Sequence, residues 1–238
     1  MGKHVELLAY TPDPVVVAQT AAGMCRATGP TKKGLEVAIE SGHESVLEHV
    51  SFTFRITDVS RAFLAQITRH RLASFSVESQ RYCKYTDNVN VIVPPSITNN
   101  DSANQLYRET IQQAANAYTA LIGMGVDAED ARFVLPEATV TNMVVTMNAR
   151  ELRHFFALRC CNRAQWEIRA VADEMLALCK QTAPELFKDA GAPCVRGECR
   201  EAYPCRSLAH EKHLLYCRGI RGRQIPCCRG AMQEVWAD

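Results

Sequence analysis

The 238-residue chain is expected to adopt an α+β fold, and three observations carry that expectation. Period-two segments rich in β-branched residues alternate with stretches of helical period. They follow one another without a regular βαβ rhythm. The balance of 47% apolar against 22% charged residues is that of a globular protein with a full core.

Val5-Glu6-Leu7-Leu8-Ala9-Tyr10 reads as a first strand, closed by Thr11-Pro12-Asp13-Pro14. Pro14 suits the first turn of a helix that Asp13 would cap and that runs to about Ala27. Gly29-Pro30-Thr31 interrupts it, and a second helix is expected from Lys32 to Ser41. Ser51-Phe52-Thr53-Phe54-Arg55-Ile56 alternates as a strand, and Ser60 caps a helix through Thr68. Val91-Ile92-Val93 before two prolines reads as a short strand or edge segment. A polar helix spans Asp101 to Met124, and Ala138 to Met147 is a β-branched strand. Helices follow over Arg150–Cys161 and Ala164–Lys180, the latter with a core stripe at Ala164, Ile168, Val171, Met175 and Leu178.

With 27 basic and 26 acidic residues, the whole surface is not built for nucleic acid, and such a partner is not expected. No apolar run is long enough to span a membrane, and the N-terminus lacks a signal-peptide core, so a cytoplasmic protein is expected. Six of the 11 cysteines (Cys194, Cys199, Cys205, Cys217, Cys227 and Cys228) fall in a basic tail, residues 194–238, set apart from a body of residues 1–193. An odd cysteine total argues against a complete disulfide framework. Cys194-x4-Cys199-x5-Cys205, with His210 and His213, offers enough ligands for zinc but no C-x2-C knuckle spacing. A metal-dependent nucleic-acid module is therefore the weaker alternative, and no metal is assigned.

Neither G-x-x-x-x-G-K-[ST] nor a Rossmann fingerprint is present, and Gly123-Met124-Gly125 lacks the third glycine. A phosphorylated ligand must therefore be held by side chains. Arg69-His70-Arg71 fans over about 200° of a helix, so a helix end or turn suits the three better than one amphipathic face. Gln66 lies one turn earlier on Arg69's face and has the amide to read a polar ring edge. Guanidinium forks match phosphate oxygens, and hydroxyls such as Ser79 donate without adding charge, although composition alone, 5 Arg+Lys against Glu78 from Arg61 to Tyr85, favours a solvated basic stretch of the kind that suits nucleic acid. His43-Glu44…Glu48-His49 is rich in ligating types, but the histidines are six apart and a capped turn explains them better than a metal. Arg159, seven residues after Leu152, returns to within about 20° of the stripe formed by Leu152, Phe155 and Phe156, where it must snorkel, pair with an acid or meet an anionic ligand. Arg150 and His154 share a neighbouring face, and Arg132 precedes Phe133-Val134-Leu135-Pro136. These arginines suggest an anion site assembled from distant segments.

Arg69-His70-Arg71, followed by seven residues and Ser79, with Arg81-Tyr82 behind, resembles the signature of the flavin-dependent thymidylate synthases. Gly42-His43-Glu44-Ser45…Glu48-His49-Val50 resembles that family's upstream block. Arg132…Leu135-Pro136…Asn148-Ala149-Arg150…Leu158-Arg159 resembles its downstream block. The resemblance covers residues 1–190. It implies an α+β fold with a central mixed or antiparallel sheet packed with helices, in a homotetramer with active sites between subunits. The implied reaction is reductive methylation of dUMP to dTMP, with methylenetetrahydrofolate as carbon donor and FAD passing on a hydride from NADPH.

By the same resemblance Gln66, Arg69, Ser79, Arg81, Arg132 and Arg159 match positions that hold dUMP. His49, Ser51, Arg69, His70, Arg71, Asn148, Arg150 and His154 match positions that contact FAD. Arg81, Ser79, His49 and Arg159 are the implied catalytic set. Val77 departs from a frequent Glu or Gln, and His154 from a frequent Asn. Ser79 has no base beside it in sequence and is assigned to nucleotide binding, while Cys83 is assigned a buried apolar role.

Overall fold

The computed structural model describes residues 4–85, 89–197 and 199. The strands and helices are, in chain order, β1 (Val5–Tyr10), α1 (Pro14–Met24), α2 (Lys32–Glu40), β2 (Ser51–Ser60), α3 (Arg61–Ile67), β3 (Ala73–Val77), α4 (Pro95–Thr98), α5 (Asp101–Gly123), α6 (Ala128–Ala131), β4 (Val140–Asn148), α7 (Ala149–Arg159), α8 (Trp166–Thr182) and α9 (Pro184–Phe187). A 3₁₀ turn, Glu44–His49, precedes β2. The strands form one antiparallel sheet in the order β1-β2-β4-β3, as the α+β expectation requires. The described chain divides into two compact units: residues up to Glu6 with Phe54–Thr146, and Leu7–Thr53 with residues from Met147 onward.

In the first unit the pairing of β2 with β4 continues just past the strands, where the Arg61 N–H donates to the Thr139 carbonyl at 3.0 Å. Alternation on β4 buries Thr141, Met143 and Val145, which join Phe54, Ile56, Phe63 and Ile67 in the core. Ser60 leaves β2 in an extended conformation, and its Oγ accepts the Phe63 N–H at 3.0 Å, starting α3 where the sequence places it. The long helix α5 buries Tyr118 and leaves most of its length in contact with water.

The second unit has an aromatic core. Tyr10 stacks on Phe52, Phe52 meets Phe187 edge-on at 5.5 Å, and Phe156 meets Phe187 at 6.1 Å. Thr31 caps α2 by accepting the Gly34 N–H. Asn148 ends β4 and caps α7, its Oδ1 accepting the Glu151 N–H at 2.9 Å.

Several expectations are corrected by the backbone. Asp13 precedes α1, but its φ of 47° is left-handed and its side chain makes no cap. Of the two readings for Val91-Ile92-Val93 the edge segment holds: Val91 bridges antiparallel to Thr139, the Ile92 N–H donates to the Ala138 carbonyl at 2.9 Å, and Pro94 and Pro95 end the pairing. β3 was not legible, since its alternation of half-buried Ala73, Phe75 and Val77 with exposed serines carries little apolar contrast. Ala164 lies before α8, whose buried stripe is Ile168, Val171, Ala172, Met175 and Cys179. Cys205, His210, His213, Cys217, Cys227 and Cys228 of the tail lie outside the described residues. Among the described residues no helix is long and apolar enough to cross a membrane.

Ser60→Ala removes the α3 cap and is expected to lower stability by about 1 kcal/mol in denaturant titration, with an unchanged m-value.

Candidate active site

In the first unit the site grows from the C-terminal end of α3. The helix stops at Ile67, and the His70 N–H folds back to the Ile67 carbonyl at 3.1 Å. Arg69 and Arg71 are exposed on either side of His70, which is buried. The helix-end reading of this triplet therefore holds, with the imidazole inward and the guanidinium groups outward. The Gln66 side chain donates to its own helix, Nε2 lying 3.2 Å from the Ala62 carbonyl.

Beyond β3 the chain makes a tight turn around Ser79. Its carbonyl accepts the Tyr82 and Cys83 N–H groups at 3.3 and 3.0 Å, and its Oγ accepts the Arg81 N–H at 3.2 Å. That hydroxyl serves as a turn acceptor. Arg81 donates from Nε to Glu129 Oε2 at 2.7 Å, and its guanidinium carbon stands 5.6 Å from the Tyr82 ring centroid. Arg132 donates from Nε to the Glu129 carbonyl at 2.9 Å. Glu129 thus gathers two arginines that lie some fifty residues apart in sequence. A cleft of about 380 Å³ opens there, lined by Arg61, Gln80, Arg132, Phe133, Pro136 and Glu137. Cys83 is exposed, contrary to the buried role assigned to it, because the Ser79 turn carries it to the surface.

In the second unit His49 is exposed at the end of the 3₁₀ turn, beside a cleft of about 650 Å³ that α1 also lines. Glu44 and Glu48 of that turn both meet α7. Glu48 pairs with Arg150 at the surface, and Glu44 Oε1 accepts from Arg153 Nε at 2.9 Å. No metal is needed to explain this acid-rich turn. The Ser51 N–H and carbonyl are both engaged with Thr11. On α7, Arg150, His154 and Leu158 form the exposed stripe, so the neighbouring-face expectation for Arg150 and His154 is met.

The buried guanidinium of α7 is Arg153, not Arg159. Arg153 is 3% exposed, and it forks onto Asp189 at 2.8 and 3.1 Å while also donating to the Leu186 carbonyl at 2.8 Å. Arg159 is only half-buried at the last turn. Burial of the Asp189 carboxyl acts to raise its pKa, but the Arg153 hydrogen bonds and charge outweigh that and hold it below its ordinary 3.8. Burial, then Asp173, push the Cys160 thiol far up, and burial does the same to Cys179, so neither supplies a thiolate at neutral pH.

Residues 6–185 match the family model described as "Thymidylate synthase complementing protein". The chain is 46% identical over 224 residues to a flavin-dependent thymidylate synthase of Geobacter sulfurreducens, covering 88% of this chain and 97% of that protein. It is 45% identical to one of Nitratidesulfovibrio vulgaris, covering 83% of this chain and 91% of that protein. This chain belongs to the flavin-dependent thymidylate synthase family. A crystal structure of such an enzyme from Helicobacter pylori, complexed with FAD and dUMP, superimposes with a TM-score of 0.64 at 27% identity. That likeness covers 79% of this chain and all of that one. The family resemblance read from the Arg69–Tyr82 signature is thus established, and with it the α+β fold.

Sequence reasoning passed over Glu129, Glu78, Arg153 and Asp189. Each acts through a partner at least 36 positions away, with no local signal to announce it.

Arg153→Met leaves two half-shielded carboxylates without their cation and is expected to cost about 2–4 kcal/mol in chemical denaturation. Since the folded Asp189 pKa is depressed, that contribution is complete at neutral pH. The gap between wild type and variant should narrow as pH falls below 3.8.

Proposed function

We propose that this chain catalyses the reductive methylation of dUMP to dTMP, taking the carbon from methylenetetrahydrofolate and the reducing equivalents from NADPH through FAD. The observation that carries this reading is the convergence of Arg81 and Arg132 on Glu129 beside the Arg61–Gln80 cleft. Guanidinium groups from separate segments suit a nucleotide phosphate, and the neighbouring amide and hydroxyl groups suit a pyrimidine edge. Gln66, Arg69, Ser79, Arg81, Arg132 and Arg159 are assigned to dUMP, with Arg81 beside the reacting ring.

His49, Ser51, Arg69, His70, Arg71, Asn148, Arg150 and His154 are assigned to FAD. The types of these side chains, guanidinium, imidazole, amide and hydroxyl, suit a dinucleotide's phosphates and ring edges. Arg69 and Arg71 turn their guanidinium groups to solvent, and Arg150 and His154 share one exposed stripe of α7. FAD, when bound, supplies the hydride chemistry that no side chain can. The chain's own residues bind and orient the pyrimidine, and Arg81 offsets negative charge as it develops on the ring. Ser79 holds the Arg81 backbone and so fixes where that guanidinium starts.

The reading includes a homotetramer with active sites built between subunits, and a catalytic domain of residues 1–193 with the tail 194–238 outside it.

Purified protein should be yellow and should release tritium from C5-labelled dUMP when given NADPH and methylenetetrahydrofolate. A colourless protein that retains no added FAD overturns the proposal. Arg81→Ala is expected to lower kcat/KM by about 100-fold or more in that assay while the flavin spectrum persists. Full turnover by that variant removes Arg81 from the reaction.

A further inference from the structure

All four polar groups of Glu78 are engaged, and they tie three separate segments to the start of the Ser79 turn. Its N–H donates to the Asn142 carbonyl at 2.9 Å, extending the β3 pairing with β4 one residue past the strand. Its carbonyl accepts from Arg61 Nη1 at 3.3 Å, linking it to the first residue of α3. One carboxylate oxygen accepts from Asn142 Nδ2 at 2.6 Å, and the other accepts from the Tyr85 hydroxyl at 2.9 Å. Asn142 is itself fixed, since its Oδ1 accepts the Asp58 N–H at 3.0 Å where Asp58 adopts a left-handed φ of 54°. Tyr85 is held from its other side by Tyr118, edge-on at 6.3 Å, and Tyr118 is fully buried.

The carboxylate therefore closes a loop. Its own residue begins the segment 78–85, and Tyr85 ends it. Between them lie Ser79 and Arg81, whose turn geometry depends on where both ends are anchored. Val77, the preceding residue, shares the half-buried face of β3 with Phe75, and a residue one position on points the other way. The acid of this segment is thus directed into the Asn142–Tyr85 contacts. Burial, then the hydrogen bond and charge of Glu78, push the Tyr85 phenol well above its ordinary 10.0, so it stays a donor throughout the working pH range.

We propose that Glu78 is a positioning residue that clasps the 78–85 segment at both ends and so sets the Ser79–Arg81 turn for the nucleotide. The role rests on the assignment of Ser79 and Arg81 to dUMP. A carboxylate shared between two neutral donors on different elements is a stronger tether than either bond alone, because losing it leaves both donors without an acceptor.

The test compares wild-type holoenzyme with Glu78→Ala, Glu78→Gln and Tyr85→Phe. Hydrogen exchange of the amides of residues 79–85, measured without nucleotide, should speed up in Glu78→Ala and Tyr85→Phe. In turnover, Glu78→Ala should raise the KM for dUMP about tenfold while leaving the flavin spectrum unchanged. Glu78→Gln keeps one acceptor and should fall between the two. Unchanged exchange over 79–85 overturns the clasp, and so does an unchanged KM for dUMP in an enzyme with faster exchange. A wild type that binds no dUMP removes the nucleotide assignment instead, and the exchange measurement still decides the clasp. If Glu78→Ala does not fold, Tyr85→Phe carries the same comparison with the carboxylate retained.

Discussion

The antiparallel pairing of β2 with β4 is the constraint on which the rest depends. In the first unit, Arg61 N–H to Thr139 carbonyl closes the ladder at 3.0 Å. In the second, Ala149 N–H to Val50 carbonyl closes it at 2.7 Å. The segments to which binding is assigned leave or enter these two strands, or, for the Ser79 turn, leave β3, which pairs with β4. The 3₁₀ turn with His49 runs into β2, and α3 with its Arg69–Arg71 end runs out of it. The Arg132 segment leads into β4, and α7 leaves it. Strict alternation on β4 fixes the register, because a one-residue slip would turn Met143, Val145 and Met147 away from the core.

Upon that frame, charge does most of the local positioning. The chain is nearly neutral overall, yet four of its arginines are each held by a specific oxygen. Arg81, Arg132, Arg150 and Arg153 each donate to a specific oxygen, and those oxygens belong to Glu129, Glu48, Glu44 and Asp189. The pairs differ in what they contribute. Arg81 and Arg150 are about half exposed, so their ion pairs are weak and open to exchange for a ligand anion. Arg153 is enclosed with two carboxylates and a carbonyl, so it serves as an internal brace for the turn that carries His49.

The cap at Ser60, the period of β2 and the β-branched run of β4 were legible because each is a local property, decided within a few residues. The Arg69–Tyr82 signature was legible for the same reason, and with the blocks at residues 42–50 and 132–159 it points to the family. β3 was missed where apolar contrast was low, and Asp13 failed as a cap because its backbone turned left-handed. Arg159 and Arg153 show the limit most clearly. Helical period gives the angle of each about the axis of α7, but not which side another element covers. The 3₁₀ turn and the Leu186–Asp189 segment cover the side that holds Arg153.

The sequence by itself determined most of the elements, the Ser60 cap, the stock of arginines and the family to which the chain belongs. Only the tertiary structure decided which acid meets which arginine: Glu129 for Arg81, Glu48 for Arg150, Glu44 and Asp189 for Arg153, and Asn142 with Tyr85 for Glu78. The physical reason is one of range. Backbone propensities and caps act over three or four residues. A buried or shared charge must find its partner wherever the folded chain brings one within hydrogen-bonding distance.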